Sequence, residues 1–142
     1  MFKSVTLGVL TTLLGVLLLG LALSAWLPAE AIPVGQAGWR DQHNRLIGLS
    51  GVKLLTVVGW ALSAFAGGMV ATLSHAAGGM RPALYAGAVI LLAWAVPTAL
   101  IAGAAISWVH LASLLMIMPS AWCGARLAGK FRRLTLRAGS VR

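Results

Sequence analysis

From Pro82 to Ala125 the chain runs for more than 40 residues without an Asp, Glu, Lys or Arg. As one α-helix this stretch would be roughly 66 Å long, about twice the ~30 Å hydrocarbon core of a bilayer. It therefore reads as two helices joined by a tight turn. Gly103-Ala-Ala-Ile-Ser107 is the natural place for the turn, with Trp108 as an interface anchor.

Two further apolar segments precede it, Ser4 to Leu27 and Leu54 to Ser74, the second bracketed by Lys53 and Arg81. With about 20 apolar residues needed per crossing, the expected helices cover about 5–27, 53–74, 82–103 and 107–128. The expected fold is all-α: an integral membrane four-helix bundle in a single polytopic domain. An outer loop, Pro28 to Val52, and a tail, Gly129 to Arg142, complete it. Composition agrees, because 60% of the 142 residues are hydrophobic and only 9% charged. Soluble domains carry about 25% charged residues.

The first segment also fits a secretory signal, with Lys3, an apolar run and Ala29-Glu30-Ala31 as a cleavage site. The run exceeds the 7–15 residues typical of a signal core, which favours an uncleaved helix.

Eleven Lys and Arg face two acids, Glu30 and Asp41, for a net charge of +9. That excess could point to nucleic acid, but the bases flank apolar segments, which is how membrane topology is encoded. With the N-terminus inside, Lys3, Arg81, Arg126, Lys130, Arg132, Arg133, Arg137 and Arg142 fall on the inner side. Arg40, Arg45 and Lys53 fall on the outer side. This bias predicts both termini in the cytoplasm of a bacterial inner membrane. The tail reads as an amphipathic helix on the inner leaflet, with Lys130, Arg132, Arg133 and Arg137 meeting anionic headgroups and Leu127, Phe131 and Leu134 on a second stripe.

Two adjacent glycines interrupt the second helix in Ser63-Ala-Phe-Ala-Gly67-Gly-Met-Val-Ala71. In water each would cost about 1 kcal/mol against alanine. In lipid, where helices associate through close packing, small residues make contact surfaces. Gly59, Ser63, Gly67 and Ala71 form one ridge at steps of four, and Ala64, Gly68 and Thr72 a second. The fourth helix repeats the device with Ser120, Gly124 and Ala128. The two stretches share the pattern S-A-(F/W)-x-G-x-x-x-A, open to two readings: a duplicated hairpin, or coincidence among common membrane residues.

Trp60 lies about 10 Å from the level of Lys53, and Trp94 about 20 Å from that of Arg81. In a core of about 30 Å these depths coincide. Trp60, Trp94, Pro97 and Lys53 are therefore candidates to line a small cavity, against the alternative of plain packing. Lys53 also fits a lysine that snorkels from a helix end.

Chemistry beyond packing is sparse. Before Arg126 the membrane segments hold no Asp, Glu or Arg apart from Arg81 at the edge of the third, whereas proton-coupled transport needs an intramembrane carboxylate or histidine. Ser50-Gly-Val-Lys53 matches a serine–lysine nucleophile pattern, but no companion motif accompanies it. His43, His75 and His110 are not three ligands at one depth, and Cys123 is the single cysteine. No catalytic residue, metal or cofactor is expected. The expected function is a non-enzymatic membrane accessory or assembly component acting by helix packing, with another membrane protein or a second copy as partner. The alternative is a small channel or transporter for a neutral or hydrophobic solute.

Overall fold

Uncharged, apolar sequence satisfies its backbone internally by forming helix, and four helices form among the described residues. In this computed structural model, which describes residues 1–26, 50–77, 79–102 and 108–139, they are α1 (Phe2–Trp26), α2 (Ser50–Leu73), α3 (Arg81–Ala102) and α4 (Trp108–Gly139). Side chains at 24, 26, 50, 97–102 and 136–139 lie outside this description, as do the outer loop and the turn after Ala102. Three of the helices, α1, α2 and α4, are long and apolar enough to cross a membrane. The third helix, α3, has 22 residues and is apolar from Arg81 to Val96, as far as its side chains are described.

Several hydroxyl side chains in or just after the helices bond back to the preceding turn. Thr6, Thr11, Thr12, Thr56 and Ser74 each donate a hydroxyl to the carbonyl four residues earlier, at 2.7 to 3.1 Å. These bonds let hydroxyl groups sit where water is scarce. Pro82 falls in the first turn of α3, where its missing N–H costs nothing, and Leu84 N–H donates to Met80 O at 3.2 Å.

The end of α4 differs from expectation. The sequence reading ends the membrane helix at 128, with a separate amphipathic element lying on the inner leaflet. Instead one unbroken helix of 32 residues runs from Trp108 to Gly139, through Pro119 and past Gly129. Leu, Lys and Arg are good helix formers, and nothing after Gly129 obliges the helix to stop where its charges begin. At about 48 Å it is longer than a bilayer core is thick.

The helices pack in a diamond. α2 and α3 touch across the short diagonal, and α1 and α4 each pack on both. The most extensive contact is between α2 and α4, followed by that between α1 and α2. One core cluster joins Trp60, Ala64, Ile90 and Ile117, with Val9, Val16, Leu91, Trp94 and Leu114 against it. A second joins Ala71, Ala83, Ala86 and Ala125, with Val5 and Val9. Large apolar side chains cover the outside, including Leu10, Leu14, Leu17, Leu18 and Leu21 on α1.

Candidate functional site

Helix α2 is where the predicted residues converge. Its first ridge faces α1. A methyl on Gly67 would lie 2.5 Å from Gly8 O and collide with the Thr12 hydroxyl, and one on Gly59 would collide with the Leu19 side chain. From the other side, a methyl on Gly8 would lie 2.7 Å from Ala71 Cβ, and one on Gly15 would lie 2.6 Å from Ser63 Oγ. Residue numbers fall on α1 as they rise on α2, so this pair is antiparallel. Ser63 and Ala71 are buried in it.

The second ridge faces α4. A methyl on Gly68 would collide with Ala121 O and lie 2.7 Å from Ala121 Cα. A methyl on Gly124 would collide with Phe65 O and lie 3.0 Å from Met69 N. The neighbours are backbone atoms, so these helices approach as closely as their main chains permit. Gly68 lies at Ala121 and, further on, His75 at Arg132, so residue numbers rise together and this pair is parallel. Ala128 is fully buried on the same face of α4, while Ser120 at its flank is half-buried.

Gly67 and Gly68 are thus adjacent because they serve different neighbours. Successive residues point about 100° apart on a helix, so consecutive glycines open two faces at one level. The textual match between the two stretches does not extend to their surroundings. In a duplicated hairpin Gly124 would face α3 as Gly67 faces α1, yet Gly124 faces α2.

Trp60 and Trp94 come together between α2 and α3. Their ring centroids are 4.5 Å apart with planes tilted by 37°. Trp60 is only 6% exposed. The space between α2 and α3 at this level is occupied by indole carbon. Lys53 is half-buried nearly two turns from Trp60, towards the start of α2, and Pro97 lies outside the described side chains. Glu30 and Asp41, the two acids of the chain, lie outside the described residues.

Two polar groups meet this region without a hydrogen-bond partner: the buried indole N–H of Trp94 and the hydroxyl of Ser113, which is 1% exposed. Gly87 opposes Met118 and Ala121, and the antiparallel register carries Trp94 to the level of residues 111 to 114. His110 is buried about one turn before Ser113, near the start of α4. Thr72 Oγ1 is a third buried group without a partner, at the opposite end of the α2 ridge.

Sequence reasoning missed two features. On α3 the packing surface is Ala83, Ala86, Gly87 and Ile90, spaced three and four apart. The small residues Ala83, Ala86 and Gly87 were signal enough. The second is Arg132, expected on headgroups with its neighbours. Its guanidinium donates to His75 O at 2.9 Å and to Ala76 O, binding the connection between α2 and α3. Ala121, Ala125, Ala128 and Arg132 share one face of an unbroken helix, so the assignment follows once α4 continues past 128. Lys130 and Arg133 are exposed, and the side chain of Arg137 lies outside the description.

No family model matches the chain, and no curated protein or solved structure matches it.

Proposed function

We propose that this chain is a non-enzymatic integral membrane protein, an accessory or assembly component that acts through helix packing. It crosses a bacterial inner membrane four times with both termini in the cytoplasm. The observation that carries the reading is the close packing of α2 against its neighbours among the described residues. Main chains approach closely at Gly68 and Gly124, and Trp60 and Trp94 stack at the level where a small cavity was weighed against plain packing. What remains for a partner is the outer apolar surface, broadest along the leucines of α1. The test is cross-linking in native membranes followed by affinity purification in mild detergent. A stoichiometric membrane partner, or a second copy, is expected; a strict monomer with nothing co-purifying overturns the reading. Reporter fusions at the C-terminus test the orientation, and a signal outside the cytoplasm refutes it.

A second reading is a pathway for a small neutral solute. It is favoured by the two unpartnered polar groups, Trp94 Nε1 and Ser113 Oγ, deep between α3 and α4. Solute flux into proteoliposomes that is lost in Trp94→Phe/Ser113→Ala would support it over the first.

A further inference from the structure

We propose that the stripe Trp122, Arg126, Lys130 and Arg133 of α4 binds the phosphate group of an anionic phospholipid. The proposal rests on the membrane placement given above and adds a ligand and a site to it.

Four observations converge on this stripe. First, spacings of four, four and three residues place these side chains within about 80° of one another around the helix. All four are exposed. Secondly, Arg126 is not free in solvent. Its guanidinium lies 4.1 Å over the Trp122 ring, which holds the charge beside an amphipathic aromatic of the kind that settles at a bilayer boundary. Thirdly, Arg126 is 18 residues along α4 from Trp108, about 27 Å, close to the ~30 Å thickness of the hydrocarbon core. The stripe therefore begins where acyl chains end and climbs through the headgroup layer. Fourthly, the protein has little charge of its own to offer these bases. Its only acids are Glu30 and Asp41, which precede α2 and which the topology assigns to the opposite side.

Arg132 sharpens the site by its absence from it. It points around the helix to the carbonyls of His75 and Ala76. Four consecutive positions from Lys130 to Arg133 thus divide into an inward arginine, an apolar Phe131 and two outward bases. A guanidinium and an ammonium a turn apart suit a phosphate diester, with Arg126 donating two parallel N–H groups and Lys130 acting as a compact point charge.

The experiment uses the full chain in nanodiscs of phosphatidylcholine containing a minority of phosphatidylglycerol, with retained lipid counted by native mass spectrometry. At low salt each base is worth roughly fivefold in lipid partitioning. Arg126→Gln/Lys130→Gln/Arg133→Gln is expected to lower phosphatidylglycerol retention by at least about tenfold. Arg126→Lys should restore part of the loss caused by Arg126→Gln, since it keeps the charge but not the paired N–H groups, and the control Lys3→Gln/Arg81→Gln, which removes two bases elsewhere, should stay near wild type. The exposed Gln variants must keep the wild-type helical signal and elution volume, and Trp122→Leu gives an independent arm with an intermediate loss. Equal retention by wild type and the triple variant overturns the proposal. So does an equal loss in the control, which would mean diffuse charge, or displacement of the lipid by millimolar inorganic phosphate, which would mean a free-anion site. A nitroxide on Cys123, the sole cysteine, reads the depth of the neighbouring turn. A position at the acyl–headgroup boundary supports the site. A position far from the phosphates shows that the membrane placement itself has failed.

Discussion

Gly68 lies directly on the main chain of Ala121: a methyl added to the glycine would stand 2.7 Å from the alanine Cα and nearer still to its carbonyl oxygen. Backbone cannot swing aside as a side chain can. Gly68→Ala and Gly124→Ala are therefore expected to destabilise the protein by about 1–3 kcal/mol, the usual cost of overpacking. Gly20→Ala and Gly129→Ala, where a new methyl would meet nothing within 4 Å, should be neutral or gain up to about 1 kcal/mol of helix propensity. Thermal unfolding followed by helical circular dichroism in mild detergent separates the two groups. Gly67→Leu should likewise disrupt folding more than Leu73→Ala, since Leu73 is 49% exposed. Equal tolerance of both would remove the packing role of the ridge.

The Trp60–Trp94 pair should be visible spectroscopically. Indoles 4.5 Å apart and tilted by 37° couple, so an exciton couplet is expected in the circular dichroism spectrum. Trp60→Phe or Trp94→Phe alone should abolish it. The aromatic contact itself is worth about 0.5–1.5 kcal/mol, and Trp60→Ala, which leaves a void, about 3–5 kcal/mol. A couplet that survives both single substitutions would place the rings elsewhere.

Ser113 offers a test with the opposite sign. Its hydroxyl is buried without a partner, and such a group carries a desolvation cost of about 1–3 kcal/mol. Ser113→Ala should leave stability unchanged or raise it. A clear loss in the detergent melting temperature would reveal a hydrogen bond at that hydroxyl.

Arg132 is expected to act on a segment more than 50 residues away in sequence. Arg132→Gln removes charge-assisted donors from His75 O and Ala76 O, worth about 1.5–3 kcal/mol each where shielded from water and less at the exposed Ala76. Hydrogen exchange should accelerate in the connection between α2 and α3 while Lys130→Gln leaves it unchanged. Matching exchange in both variants would deny Arg132 this role.

Much of this arrangement could be read from residue order, and the reasons for the remainder are physical. Apolar runs bounded by Lys53, Arg81 and the change near Leu27 locate α1, α2 and α3 to within a few residues, because lipid sets helix length and charge marks its limit. The ridges on α2 are likewise readable, since spacing by four is geometry. Which helix each ridge meets is not readable: Gly67 and Gly68 have the same chemistry, and only assembly assigns one to Gly8 and the other to Ala121. The end of α4 misled because charge signals where lipid stops, not where a helix stops. With the helix ended at 128, Arg132 had no register against Ala121, Ala125 and Ala128 and was grouped with its basic neighbours.

The pairing of Gly68 with Ala121 also has a consequence for biogenesis. Ribosomal synthesis runs from α1 to α4, so α2 enters the bilayer well before its most extensive partner exists. The α1–α2 hairpin can close at once through Gly8, Gly15 and Gly67, but the face bearing Ala64, Gly68 and Thr72 must wait for the last helix. An unfinished chain therefore displays a smooth, small-residue groove that the finished chain lacks, giving a membrane chaperone or protease a local criterion for telling the two apart.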